Sequence, residues 1–264
     1  MNGVAPSGTD PEDDLSVFAP IDAWVFDLDD TLYSIGPELA ALYDGRMRGF
    51  IEREIRLGPE EASRMQHDLF ERHGATARGL FVEHGIQPDD FLEYVHDIDH
   101  ALIEPDPALS KLIGELPGHR YVLTNSPISH ATRAIEQIGM AAHFTEVFDF
   151  ASLGGYTKPD RRVYDALIAA TGSLPKRTAM FEDVARNLVE PQRLGMVSVL
   201  VTPPRTRELF RGDWDLEAGS HPAVDFVTDD LRGFLTTVLA EIRSPKLTET
   251  SARLGFGDDS TSDR

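Results

Sequence analysis

Cysteine is missing from all 264 residues. Disulfides, zinc–thiolate centres, iron–sulfur clusters and cysteine nucleophiles are thereby excluded. The absence fits a reducing compartment, so a cytoplasmic protein is expected. Positive charge is scarce: 25 Lys and Arg against 45 Asp and Glu give a formal net charge of −20. Such a chain is a poor partner for a nucleic-acid polymer or an anionic membrane. A small phosphorylated metabolite is not excluded, because a metal ion or local dipoles reverse the sign of a single pocket. No apolar run approaches the roughly 18 residues of a membrane span. Residues 1–14 have neither the basic start nor the apolar stretch of a signal peptide. No internal repeat of about 20–50 residues is present.

What is there suits a globular protein. Apolar residues make up 41% and charged residues 27%, enough for one large domain or two modest ones. Residues 1–18 and 244–264, rich in Gly, Pro, Ser and acids, read as disordered tails. Ala23-Trp24-Val25-Phe26 is a short apolar run without alternation, the pattern of a strand buried on both faces. Residues 37–106 then read as all-helical, with starts at Pro37, Glu60, Ala75 and Pro88. From 107 to 243, helices alternate with strands near 120–124, 146–149, 178–181, 197–201 and 224–227. Repeated βα units imply a parallel sheet with helices on both faces. This is an α/β fold, and the helical block is an insertion after its first strand.

Ligands of open α/β sheets bind beyond the carboxyl ends of the strands. Four polar groups fall there: Asp27-x-Asp29, Thr124-Asn125, Lys158 and Glu182-Asp183. Each alone is ordinary turn or cap chemistry, but their shared position along one βα series is not. Carboxylates at Asp27 and Asp183 suit Mg²⁺. Asp27 is placed to attack phosphorus and form an aspartyl-phosphate. Asp29 can protonate the leaving group and then activate water. Thr124 can hold the phosphate and Lys158 can stabilise its spread charge.

These stretches resemble the haloacid dehalogenase superfamily. The likeness rests on Val25-Phe26-Asp27-Leu28-Asp29-Asp30-Thr31-Leu32-Tyr33, Leu123-Thr124-Asn125, Lys158-Pro159 and Phe181-Glu182-Asp183-Val184-Ala185-Arg186-Asn187. All four family motifs stand in order between about 20 and 202. The resemblance implies a Rossmann-like core, a helical cap over 37–106 and Mg²⁺. It implies that Asp27 is the nucleophile and Asp29 the acid/base. Mg²⁺ would be held by the Asp27 carboxylate, the Asp29 carbonyl and Asp183. Thr124, Asn125 and Lys158 would bind phosphate, and Asn187 would orient the lysine. Glu182 departs from the Asp or Gly of many members and stands beside the metal position. Ala75-Thr76-Ala77-Arg78-Gly79-Leu80, His84-Gly85-Ile86 and Tyr94-Val95-His96-Asp97-Ile98-Asp99 resemble the cap of the pyrimidine 5′-nucleotidase-like branch, making Arg78 a candidate substrate contact.

A Mg²⁺-dependent phosphomonoester hydrolase acting on a pyrimidine nucleoside 5′-monophosphate or a similar metabolite is therefore expected. The alternatives are a sugar-phosphate phosphatase, a phosphomutase, a haloacid dehalogenase (which needs no acid at Asp29) and a non-catalytic binding protein. His96 and His100, four apart, would share a helix face and could hold zinc with Asp97 or Asp99, but no third fixed ligand is evident.

Overall fold

A computed structural model of the protein describes residues 14–73, 75–202 and 224–244. Its centre is a sheet of six parallel strands: β1 (Ala23–Phe26), β2 (His119–Leu123), β3 (Glu146–Phe148), β4 (Thr178–Glu182), β5 (Val197–Val201) and β6 (Phe226–Thr228), in the order β3-β2-β1-β4-β5-β6. The chain reverses direction of growth at β1, which lies between β2 and β4. All four β1 residues and all five β4 residues are buried, as two-sided coverage requires.

Alternation along the strands sorts the core into two faces. Trp24, Phe26, Val122, Ala179, Phe181 and Val199 point to one face, Ala23, Val25, Tyr121, Leu123 and Met180 to the other. Helices α5 (Pro107–Glu115), α6 (Ile128–Gln137) and α9 (Leu231–Arg243) cover the first face; α7 (Arg161–Thr171) and the short α8 (Val189–Leu194) cover the second. Sequence periodicity places one continuous helix over about 185–194. The structure instead has a 3-10 turn at Ala185–Leu188 before α8.

The expected tail over 1–18 ends too late. Leu15–Phe18 forms a 3-10 turn capped by Asp14, and Phe18 is fully buried among the rings of Trp24, Phe226 and Phe234. Polar composition upstream hides an aromatic residue that the sheet needs. Residues 1–13 and 245–264 of the two expected tails lie outside the described residues.

Between β1 and α5 stand α1 (Pro37–Ile55), α2 (Pro59–His73), α3 (Thr76–His84) and α4 (Pro88–His96). Proline occupies the first position of α1 and α4, where its missing N–H costs nothing. Arg56, in the left-handed conformation at φ 61°, ends α1. Phe50, Ile51, Leu69, Leu80, Phe91 and Val95 bury the inner faces of these helices. Gly79 sets the α2–α3 approach: a Cβ there would stand 2.8 Å from Leu69. Gly118, at φ +78°, allows the tight turn into β2, since a Cβ would fall 2.1 Å from the Asp22 carbonyl oxygen. Among the described residues no helix is long and apolar enough to cross a membrane.

Candidate active site

Asp27 leaves the end of β1, where its N–H donates to the Phe181 carbonyl at 2.9 Å. The β1 register with β2 and β4 brings Thr124 and Glu182-Asp183 to either side of it. Asp27, Thr124, Lys158, Glu182 and Asp183 are all buried and line one cavity of about 400 Å³. Its upper wall comes from the helical block, chiefly Tyr43, Met47, Phe70, Phe91, Leu92 and His96.

Lys158 is the hub. Its Nζ donates to Asp27 Oδ1 at 2.6 Å, Glu182 Oε2 at 2.6 Å and the Leu123 carbonyl at 2.8 Å. Three acceptors use the three protons of an ammonium. Burial works against its charge, but Asp27 and Glu182 outweigh it and hold the lysine protonated, well above its usual range. The same ammonium cannot neutralise its whole surroundings. Burial first, then the charge of Glu182, push Asp27 up to about 7 despite Lys158. Carboxylate oxygens of Asp27, Glu182 and Asp183 lie within 4.8 Å of one another. Three carboxylates against one ammonium, all hard oxygen donors, fit a hard divalent cation such as Mg²⁺.

Asn125 has a structural contact beside its expected phosphate role, and the expected Asn187–lysine contact is corrected. Asn125 spends its amide on the lysine loop: its Oδ1 accepts from Lys158 N–H at 2.8 Å and its Nδ2 donates to the Lys158 carbonyl at 3.2 Å. It is a clamp on the backbone of the lysine loop, and with one Nδ2–H still unused it also lines the cavity. Asn187 lines the cavity but does not hold Lys158, whose protons are already taken; its Oδ1 has no hydrogen-bond partner. Thr124 is buried and lines the cavity, its Oγ1 accepting from Ser126 N–H at 3.0 Å.

Asp29 sits in a cage that sequence reasoning missed. Ser126 Oγ donates to its Oδ2 at 2.6 Å, the Tyr33 hydroxyl donates to Oδ1, and His130 Nε2 lies 3.0 Å from Oδ1. Burial alone would raise the Asp29 pKa; the charge and hydrogen bond of His130, with His96 and Ser126, overcome it and hold the carboxyl well below the usual range. His96 Nε2 lies 3.1 Å from Ser126 Oγ, and its Nδ1 2.8 Å from the Leu92 carbonyl. His130 Nδ1 lies 3.0 Å from His100 Nε2, whose Nδ1 is 3.1 Å from the Ile98 carbonyl. His130 and Asp29 are 101 residues apart, which no local pattern reveals. One signal was available: a histidine beside Ala131, Ala134 and Ile135 on the buried face of amphipathic α6.

His96 and His100 do not share a helix face, because α4 ends at His96 and His100 opens a separate 3-10 turn. Arg78 is exposed and outside the cavity lining, its charge acting on Asp160. Arg46 and Arg53 lie over the Tyr94 ring at 4.6 and 4.5 Å, joining α1 to α4.

Comparison with known proteins agrees with this architecture. A family model described as haloacid dehalogenase-like hydrolase matches residues 21–189. Phosphate metabolism protein 8 of Saccharomyces cerevisiae is 27% identical over 166 residues, 58% of this chain and 48% of that protein. The chain thus spans about half the length of that curated relative. Among solved structures, a HAD phosphatase from Thermococcus onnurineus is 16% identical with a TM-score of 0.58, covering 85% of this chain and 100% of that one. A HAD family hydrolase from Deinococcus radiodurans, with bound phosphate and sodium, is 19% identical with a TM-score of 0.53, covering 85% and 97%. L-2-haloacid dehalogenase from Xanthobacter autotrophicus gives 14% and 0.52, covering 83% and 98%. At these identities the solved structures speak for the fold, and the family match over 21–189 decides membership: the chain belongs to the haloacid dehalogenase-like hydrolases.

Proposed function

We propose that the protein is a Mg²⁺-dependent phosphomonoester hydrolase working through an aspartyl-phosphate on Asp27, with a pyrimidine nucleoside 5′-monophosphate or a similar small metabolite as substrate. The observation that carries the reading is the pairing of two carboxylates in opposite environments at one strand end. Asp27 is crowded by negative charge, and Asp29 is caged by hydrogen-bond donors. A bound cation would relieve the crowding and keep Asp27 ionised for attack, while the donors around Asp29 suit it to proton traffic.

Asp27 Oδ1, aligned by Lys158, is the nucleophile on phosphorus. Lys158 and the Thr124 hydroxyl stabilise the oxygens of the transferring group. Mg²⁺, held by Asp27 and Asp183 with Glu182 beside them, would offset anionic repulsion and polarise the phosphoryl oxygens. Asp29, held ionised by its donors, relays the proton: one passed from His130, 3.0 Å from its Oδ1, serves the leaving oxygen, and the proton Asp29 then takes from the water that opens the acyl phosphate returns to His130. Ser126, Tyr33 and His130 fix its carboxylate plane. The leaving group would occupy the apolar upper chamber, where Tyr43, Phe70 and Phe91 offer rings to a base. The Asp29 carboxylate favours phosphoryl transfer over dehalogenation, which needs no proton at a leaving oxygen.

The test is phosphate release from nucleoside monophosphates, sugar phosphates and phosphoglycolate, in Mg²⁺ and in EDTA, by the native chain and by Asp27→Asn. Mg²⁺-dependent preference for UMP or CMP, abolished in Asp27→Asn, is the expected result. Full activity in Asp27→Asn would remove the nucleophile. Broad, weak turnover would withdraw the nucleotide but leave the chemistry.

A further inference from the structure

The upper wall of the cavity carries a helix start that no described side chain caps. Helix α3 begins at Thr76, and Ala75 before it, extended at φ −158° and ψ 136°, offers no capping group. The N–H groups of Thr76, Ala77 and Arg78 have no acceptor within the helix. Among the described residues none of them meets an acceptor outside it. The Thr76 side chain adds a hydroxyl. Thr76 is only 7% exposed, lines the cavity and makes no side-chain hydrogen bond among the described residues. Unlike the Tyr43 hydroxyl or Asn187 Oδ1, its oxygen is not sealed in, so it opens on the cavity that Thr76 lines. A buried hydroxyl without a partner carries an unmet demand. Small neighbours leave this end bare, for Ala75 and Ala77 flank Thr76 in the same wall. Gly79 holds the helix in place: a Cβ there would stand 2.8 Å from Leu69, so α3 packs closely on α2. The donors are thus fixed before a ligand arrives.

We propose that the start of α3, with the Thr76 hydroxyl, is a subsite for the leaving group, taking an acceptor oxygen that carries no proton: a ring carbonyl of a base or a carboxylate. This rests on the reading of the carboxylate floor as the phosphate end of the cavity. The donors stand at the positive end of a nine-residue helix, which favours an electronegative partner. The upper wall around them is largely apolar, with Phe70, Phe91 and Leu92. The ligand that fits has phosphate at one end, a flat or apolar middle and a bare acceptor oxygen at the other. A pyrimidine carbonyl has that chemistry. Ribose 5-phosphate offers hydroxyls instead, which need acceptors of their own that this end does not supply. The stretch 75–80 thereby acts through its backbone and Thr76 rather than through Arg78, whose side chain stays outside the cavity lining.

The experiment compares Thr76→Val, Thr76→Ser and Thr76→Pro with the native full chain, each checked for folding by circular dichroism. Valine keeps the shape and removes the hydroxyl, and serine keeps the hydroxyl. Proline removes the hydroxyl and one N–H, yet suits the first position of a helix and the extended Ala75 before it. The value of kcat/KM is measured in Mg²⁺ for UMP, phosphoglycolate and ribose 5-phosphate. The preference for UMP over ribose 5-phosphate should fall about fivefold in Thr76→Val, chiefly through KM, and at least about tenfold in Thr76→Pro. Thr76→Ser should retain it. Should Thr76→Pro not fold, Thr76→Val decides. If phosphoglycolate rather than UMP shows this dependence, the subsite stands, holding a carboxylate, and the nucleotide alone is withdrawn. Unchanged preferences in the folded variants, or equal losses on all three substrates, overturn the subsite. If the native chain releases no phosphate, the proposed function fails, and calorimetric binding of UMP and phosphoglycolate in Mg²⁺ decides the subsite separately. Weaker binding by Thr76→Val then upholds it, and equal or absent binding overturns it.

Discussion

Replacing Asn125 by alanine distinguishes a clamp from a ligand. Its amide makes two hydrogen bonds to the backbone of Lys158, at 2.8 and 3.2 Å. Lys158 is only 5% exposed, so water does not readily take over the freed N–H and carbonyl. Losing two neutral bonds and stranding their partners costs about 2–4 kcal/mol. The catalytic effect should follow, because Lys158 Nζ aligns the nucleophile. A displacement on the order of 1 Å at such a group costs up to about 10²-fold in rate. Asn125→Ala should therefore lower the urea midpoint and reduce kcat by at least about tenfold with KM little changed. Asn125→Asp, which keeps the acceptor for the Lys158 N–H, should recover part of the stability. Unaltered stability combined with a raised KM and normal kcat would refute the clamp and return Asn125 to phosphate binding.

Phe18→Ala should cost about 3–5 kcal/mol by urea denaturation, as for other buried aromatics; a loss under about 1 kcal/mol would mean the 3-10 turn does not seal the sheet. Mg²⁺ at roughly 100 times its Kd should stabilise the chain by about 2.7 kcal/mol, seen as a higher Tm in calorimetry, and Asp183→Asn should lose most of that gain. Asp160 caps α7 and pairs with Arg162, which together hold its pKa down to about 2. Its stabilisation is present above the usual carboxylate pKa and fades as pH falls from about 4 towards 2. Asp160→Ala should accordingly cost about 1 kcal/mol at pH 7, and the difference from the native chain should shrink across that window in urea titrations.

The positions of Asp27, Asp29, Thr124, Lys158 and Asp183 were legible because strand ends in a βα series converge on one edge whatever the side chains between them. Roles decided by partners were not legible. Asn125 is expected at the phosphate from its place after Thr124, but its clamp on the Lys158 backbone could not be read from the chain. Asn187 looked like the lysine's anchor, yet the Leu123 carbonyl and two carboxylates fill that place. Tyr33 meets Asp29 from four residues on, and Ser126 and His130 from the start of α6, 97 and 101 residues away, a separation that no local pattern bridges. Helix limits were read well where proline or glycine punctuates the chain, as at Pro37 and Pro88. They failed near Ala185, where a 3-10 turn obeys the same apolar spacing as an α-helix over so short a run.

The central position of β1 has a consequence for how the molecule comes into being. Both neighbours of this strand are made long after it, and Asp27 waits for a lysine 131 residues downstream. During synthesis the four helices that follow β1 can find one another through nearby contacts, whereas the sheet must close long loops. The acidic strand end therefore exists without its counter-charge until residue 158 has been made. A nascent chain halted before β4 carries the helical block over Asp27, Asp29, Thr124 and Lys158 but without Glu182 and Asp183, so the carboxylate cluster is complete only when the last third of the polypeptide begins to thread into the sheet.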